Sequence, residues 1–131
     1  MDILTKIMND GENDYFSLSD GEQDIFLLAS FTNAVNDGNF LTFYQSDCGA
    51  YHEQLLELLN FLNLDEAAFV LDSLGAIFPD GYPPEDNEER REILEELVPD
   101  YGDLFSDWND QIRQFAKELE AELKKLLENI Q

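Results

Sequence analysis

Basic residues are what this sequence lacks. No Lys or Arg occurs between Lys6 and Arg90, a stretch that carries eighteen Asp and Glu residues. Over the whole chain 30 carboxylates face 7 basic side chains, a formal net charge of −23 in 131 residues. Such a balance argues against direct binding to nucleic acid or to an anionic membrane surface, since both call for a positive face. Cysteine occurs once, as Cys48, so an internal disulfide is excluded and nothing argues for secretion. Histidine also occurs once, as His52, and one His with one Cys cannot build a structural zinc site alone. No apolar run approaches the ~20 residues of a membrane span. The first residues do not resemble a signal peptide, because the apolar stretch is short and Asp2 precedes Lys6. No Gly-rich phosphate cradle is present. A cytoplasmic protein is the expectation.

What remains is enough for a core. Hydrophobic residues make up 44% and aromatics 12%, with ten Phe, which excludes a disordered acidic tail. The length suits a single domain over residues 1–131. Apolar positions recur with helical spacing and no stretch alternates with period two. The fold class expected is all-α: a single compact domain of six or seven helices with a long amphipathic C-terminal helix. A helix is expected over Met1–Asn9, then a loop over Asp10–Asp20. Ser19 or Asp20 offers an N-cap for a helix to about Asn36, stopped by Asp37-Gly38. A short helix should cover Phe40–Gln45, and another Ala50–Leu62. Asp65 is expected to cap a helix to Phe78 that buries Ala68, Phe69, Leu71 and Leu74. Pro79–Pro84 reads as a loop. A helix over Asn87–Val98 should end at Pro99.

From Asp107 to Ile130 the apolar positions Ile112, Phe115, Leu119, Leu123, Leu126 and Ile130 mark one long helix. Glu120 and Lys124 are spaced for an i, i+4 pair. Charges nearly balance there, with five carboxylates and four basic residues from Trp108 onward. About three heptads is marginal for a coiled coil, so docking onto the domain's own core is expected. A monomer is favoured, and any dimer should form through this helix.

The charge needs a reason, because self-repulsion destabilises a compact state. Either a salty medium screens it or it attracts something positive. A high-salt habitat fits poorly with ten Phe and many Leu. A folded monomer of 15.1 kDa should expose roughly 7,000 Å², or about one net charge per 300 Å². DNA presents roughly one per 100 Å², so an even spread is about threefold too dilute for a polyanion mimic. Clustering would be required. The run Glu85–Asp107 holds ten carboxylates against Arg90 and Arg91. If Glu85–Glu96 were helical, it would carry about one net charge per ~3.6 Å, near the ~3.4 Å of one DNA strand. The candidate partner-binding residues are therefore Glu85, Asp86, Glu88, Glu89, Glu92, Glu95, Glu96, Asp100 and Asp103. Glu88, Glu92 and Glu95 share a face opposite Ile93 and Leu97. The plainer alternative is an ordinary solvated helix surface.

Chemistry of other kinds finds little support. Asp10-x-Glu12-x-Asp14 begins like a calcium loop, but Tyr15 stands where that loop needs Gly, so a plain acidic loop is expected. Cys48 and His52 are four apart, yet Gly49 should keep Cys48 off the helix, and His52 is expected to be exposed or half-buried. No catalytic residue, metal or cofactor is assigned.

The segment Asn36–Gly49 resembles the signature of the bacterial DNA-mimic protein family. That signature is an Asn-Gly-Gly-Phe turn, an aromatic helix and an Asn-Ser-x-Gly turn. Here the turns read Asp37-Gly38-Asn39-Phe40 and Ser46-Asp47-Cys48-Gly49. Ala67-Ala68, Phe78-Pro79, Pro84-x-Asp86 and Arg90 fall where the family has similar residues, and the resemblance covers Ile25–Trp108. It implies an all-helical domain whose carboxylate surface imitates the DNA backbone and occupies a basic DNA-binding protein, such as a repressor. The signature residues themselves read as structural. Two alternatives stay open. An immunity protein neutralising a basic toxin, such as a nuclease, would use the same charges. An enzyme would need a deep pocket with converging carboxylates.

Overall fold

The structure, a computed structural model, describes residues 2–130. Seven α-helices follow in order: α1 (Ile3–Asn13), α2 (Asp20–Asn36), α3 (Leu41–Gln45), α4 (His52–Phe61), α5 (Asp65–Ile77), α6 (Asn87–Arg113) and α7 (Ala116–Ile130). Two 3-10 turns, Tyr15–Ser17 and Asp47–Tyr51, complete the described residues, which hold no strand. None of these helices is long and apolar enough to cross a membrane. The all-α expectation holds; Met1, in the first expected helix, lies outside the described residues.

α2 is the centre of the fold. Its start is fixed by a reciprocal cap: Ser19 Oγ accepts the Glu22 N–H at 3.3 Å, and Glu22 Oε1 accepts the Ser19 N–H at 3.0 Å. Nine of its residues between Ile25 and Val35 are buried, so it is apolar nearly all round, as a core helix should be. It ends in a two-bond C-cap. Gly38 (φ 99°) donates to the Val35 carbonyl at 3.0 Å and Asn39 to that of Ala34 at 3.1 Å. Positive φ is what makes glycine the natural residue at position 38. Phe40, Phe43 and Tyr44 are then buried against the core.

α7 lies antiparallel to α2. Gly21 at the start of α2 faces Ile130, and Asn36 Nδ2 at its end donates to Glu120 Oε1 at 3.0 Å. Leu119 is fully buried, and Leu123, Leu126, Leu127 and Ile130 pack on the core. The final helix therefore docks on its own domain. The expected Glu120–Lys124 pair is not formed, because Glu120 is turned to Asn36.

Five local expectations are corrected. α1 runs through Asp10–Asn13, where a loop was expected. Gly11 is not a turn there: a β-carbon at that position would strike the Phe26 ring, so the glycine admits a neighbour. Asp65 is the first residue of α5, whose N-cap is Leu64 without a side-chain bond. Phe69 is 65% exposed rather than core. The first part of α6 ends at a kink at Tyr101 (φ −119°, ψ 15°), two residues past the expected stop at Pro99, and a second helical part follows at once where no helix was expected. Proline removes one helical N–H bond, but Arg90 and Leu94 before it and Phe105, Trp108 and Ile112 after it anchor both halves. The expected Asp107–Ile130 helix is divided at Gln114–Phe115, where the Phe115 N–H bonds to Ile112 in a tighter i−3 turn at 2.9 Å.

A candidate acidic interface on the longest helix

The start of α6 is set by a buried arginine. Arg90 is 0% exposed, and each of its five N–H groups has an acceptor. Nε donates to the Tyr44 carbonyl at 2.8 Å; Nη1 to those of Pro84 and Glu85 at 2.9 and 3.2 Å; Nη2 to that of Ser46 at 2.7 Å and to Asn87 Oδ1 at 2.6 Å. No carboxylate is among these partners. The guanidinium fork thus ties the Phe40–Ser46 turn to the beginning of α6. Asp86 caps that helix, its Oδ2 accepting the Glu89 N–H at 2.9 Å. Asn109, on the far half of α6, accepts the Phe40 N–H at 2.8 Å.

Gly49 lies where the guanidinium passes. A β-carbon there would run into Arg90 and sit 2.9 Å from Tyr44 Cα. Gly49→Ala is expected to lower stability by about 1–3 kcal/mol, the usual cost of overpacking. Gly102, on exposed α6 with nothing within 4 Å of a would-be β-carbon, is the opposite case. Gly102→Ala should raise stability by about 0.5–1 kcal/mol. Urea midpoints of the two variants against the parent check both signs.

With its position fixed, α6 displays acid along its whole outer side. All nine sequence-assigned residues, Glu85, Asp86, Glu88, Glu89, Glu92, Glu95, Glu96, Asp100 and Asp103, are exposed. Seven of them lie within α6 and two just precede it. On each side of the break at Tyr101 the carboxylates lie opposite the buried anchors: Glu88, Glu89, Glu92, Glu95, Glu96 and Asp100 opposite Arg90 and Leu94, and Asp103 opposite Phe105, Trp108 and Ile112. Asp107 and Asp110 are exposed and lie, like Asp103, opposite the later anchors. From Glu88 to Asp110 nine carboxylates follow a helical contour of about 33 Å, close to one per 4 Å, against ~3.4 Å between phosphates of one strand. Asp107 closes the acidic run but was not among the assigned residues, and Asp110 lies beyond the run; the anchors after the break at Tyr101 turn both outward.

Neighbouring basic residues leave the stripe uncompensated. Arg91 reaches away, donating to the Gln45 carbonyl at 2.6 Å and to Asp47 at 3.3 Å. Lys125–Glu122 is the other ion pair among the described residues. Among the described residues no Asp or Glu is buried, and only Glu22, Asp24 and Glu122 are half-buried. The total surface of 7402 Å² agrees with the expected area, so α6, rather than the average surface, supplies polyanion-like spacing.

A family model described as DMP19-like protein matches residues 16–130. The chain belongs to that family. The match agrees broadly with the DNA-mimic resemblance and extends it at both ends, taking in α7. No curated protein and no solved structure matches the chain. In this DMP19-like protein the signature turns serve the scaffold: one ends α2, and the other supplies the Ser46 carbonyl to Arg90.

The isolated His and Cys are also structural. His52 is 5% exposed, a correction to the expected half-exposed position, and its Nδ1 lies 2.8 Å from the Tyr44 hydroxyl. Gly75 lets α5 close on the ring, since a β-carbon there would lie 3.0 Å from Nε2. Burial pushes the His52 pKa below 6.5, with Glu53 and Asp72 opposing. A lowered folded-state pKa means that this contribution to stability is complete above pH 6.5. It is lost as pH falls from 6.5 toward the depressed value, by at most about 1.4 kcal/mol per pH unit. His52→Gln should remove that segment of the pH dependence, as urea unfolding at several pH values would show.

Cys48 Sγ donates to Ser30 Oγ at 3.6 Å, and burial pushes its thiol pKa up. Cys48 and His52 therefore have separate partners and form no nucleophile–base pair. A cleft of about 750 Å³ carries Glu12, Asp14, Asp47 and Glu85, but Asp47 is held by Arg91 and Asn87. Among the described residues no three His, Cys, Asp or Glu side chains are grouped to hold a metal ion.

Proposed function

We propose that this protein is an acidic binding module that acts as a DNA mimic, occupying the DNA-binding surface of a basic protein such as a repressor. The observation that carries the reading is the α6 stripe: nine exposed carboxylates opposite the buried anchors, at nearly the spacing of strand phosphates along the contour, on a kinked helix whose start is locked by Arg90. Its length matches about ten phosphates of one strand. The reading needs no catalytic residue, cofactor or metal. It describes a cytoplasmic monomer, and docking of α7 along α2 supports the monomer because it uses the nearly neutral apolar stripe internally. Family membership supports the mimic role broadly, and the choice of partner rests on charge.

Immobilised protein should retain basic DNA-binding proteins from its host's lysate at low salt and release them as salt rises, because exposed charges are screened over about 8–10 Å at physiological ionic strength. Mass spectrometry of the eluate reads the outcome. Retention of partners without a basic surface, unaffected by salt, would count against the proposal. An immunity protein covering a basic toxin would show the same salt release, and competition with DNA separates the two.

A further inference from the structure

α6 leaves the middle of its apolar inner side uncovered. The inner arc is buried at Arg90 and Leu94 and again at Phe105, Trp108 and Ile112. Between those anchors Val98, Tyr101 and Leu104 are 40%, 38% and 37% exposed. Their spacing of three places them on successive turns of the inner half. The local break at Tyr101 falls within this strip, and Gly102 adds no side chain to cover it. The strip continues into the core, since the Tyr101 ring lies 6.1 Å from Phe105, itself 5.8 Å from Trp108. Exposed carboxylates border it on both sides: Glu95 one turn before Val98, and Asp100 and Asp107 one turn before and after Leu104.

We infer that this strip is the docking site for a basic segment of the partner that presents an apolar side chain flanked by Lys or Arg. The inference rests on the mimic reading of the same helix and adds a contact that DNA itself does not offer. Charge complementarity selects the occupant. A second copy would bring its own carboxylate borders against these, with −23 on each chain, whereas a basic segment meets opposite charge at both edges. Binding then has two components. The carboxylates supply one that salt screens, and the strip supplies one that salt does not weaken.

The test is an NMR titration of the full, isotope-labelled chain with two synthetic peptides of equal charge. One is oligolysine; the other is an amphipathic helix with Lys on one side and Leu on the other. At low salt both should perturb the α6 carboxylates. At about 0.5 M salt, where screening is nearly complete, only the amphipathic peptide should still bind, shifting Val98, Tyr101 and Leu104. The Val98→Ser/Leu104→Ser variant, altered at exposed positions, should lose at least about tenfold of that high-salt affinity while binding oligolysine as before. High-salt shifts centred on Phe61 or Phe69, or equal salt sensitivity of both peptides, would overturn the proposal. A strip that still takes the amphipathic peptide while oligolysine leaves α6 unperturbed would support it and overturn the mimic reading.

Discussion

Arg90→Met is expected to lower the stability of the fold by roughly 3–5 kcal/mol, a large part of the ~5–15 kcal/mol of a typical domain. The reason is the set of acceptors left behind. The carbonyls of Tyr44, Ser46, Pro84 and Glu85 all converge on this guanidinium. They belong to the backbone, so no compensating change of partner exists, and each buried acceptor left unpaired costs about 1–3 kcal/mol. Arg90→Lys should recover little, because three donors on a flexible stem cannot meet five acceptors around a planar fork. The adjacent Arg91→Met is the internal control. Arg91 is about half exposed and pairs with a more exposed Asp47, so its loss should cost less than about 1 kcal/mol. Urea unfolding of the three variants makes the comparison. Equal losses at positions 90 and 91 would remove Arg90 from its place as the fastening of α6.

Neutralising Glu88, Glu92 and Glu95 together as Gln should slow association with a captured basic partner by about tenfold or more at low salt, within the range of electrostatic steering. All three are exposed on the outer arc, so shape and helix propensity are kept while three charges go. Stability should be unchanged or raised, because relief of repulsion favours the compact state. The same triple change at Glu53, Glu57 and Asp65, exposed on α4 and α5, should slow association much less. Stopped-flow kinetics at several salt concentrations distinguish the sites. Equal effects from both triplets would mean that the partner senses net charge alone.

Local chemistry made parts of this molecule legible in the sequence. Ser19 and Gly38 bound α2 because caps act within a few residues, and the helical periodicity of the apolar positions was enough for the all-α class. The failures share a different origin. Gly11 and Gly75 are glycines because Phe26 and His52, distant in sequence, press against them. The helix breaks just past Pro99, at Tyr101, but side chains on either side are buried by other elements and start a second helical part at once. His52 is buried because Tyr44 and Gly75 close on it, which no neighbouring residue announces. The candidate interface was affected in the same way. Glu85–Asp107 stands out as an acidic run, but that Asp107 and Asp110 face outward beside it follows from the buried anchors after the break at Tyr101.

The central claim, that the α6 stripe takes the place of a DNA strand, is tested most directly by titrating one captured partner with both ligands. The partner is held at a fixed concentration with labelled DNA bearing its site, and this protein is added while bound DNA is followed by fluorescence anisotropy. Mimicry predicts full displacement, with the Glu88→Gln/Glu92→Gln/Glu95→Gln variant needing a higher concentration to reach it. A ternary complex in which DNA and this protein bind the partner independently would contradict the claim and favour the immunity reading.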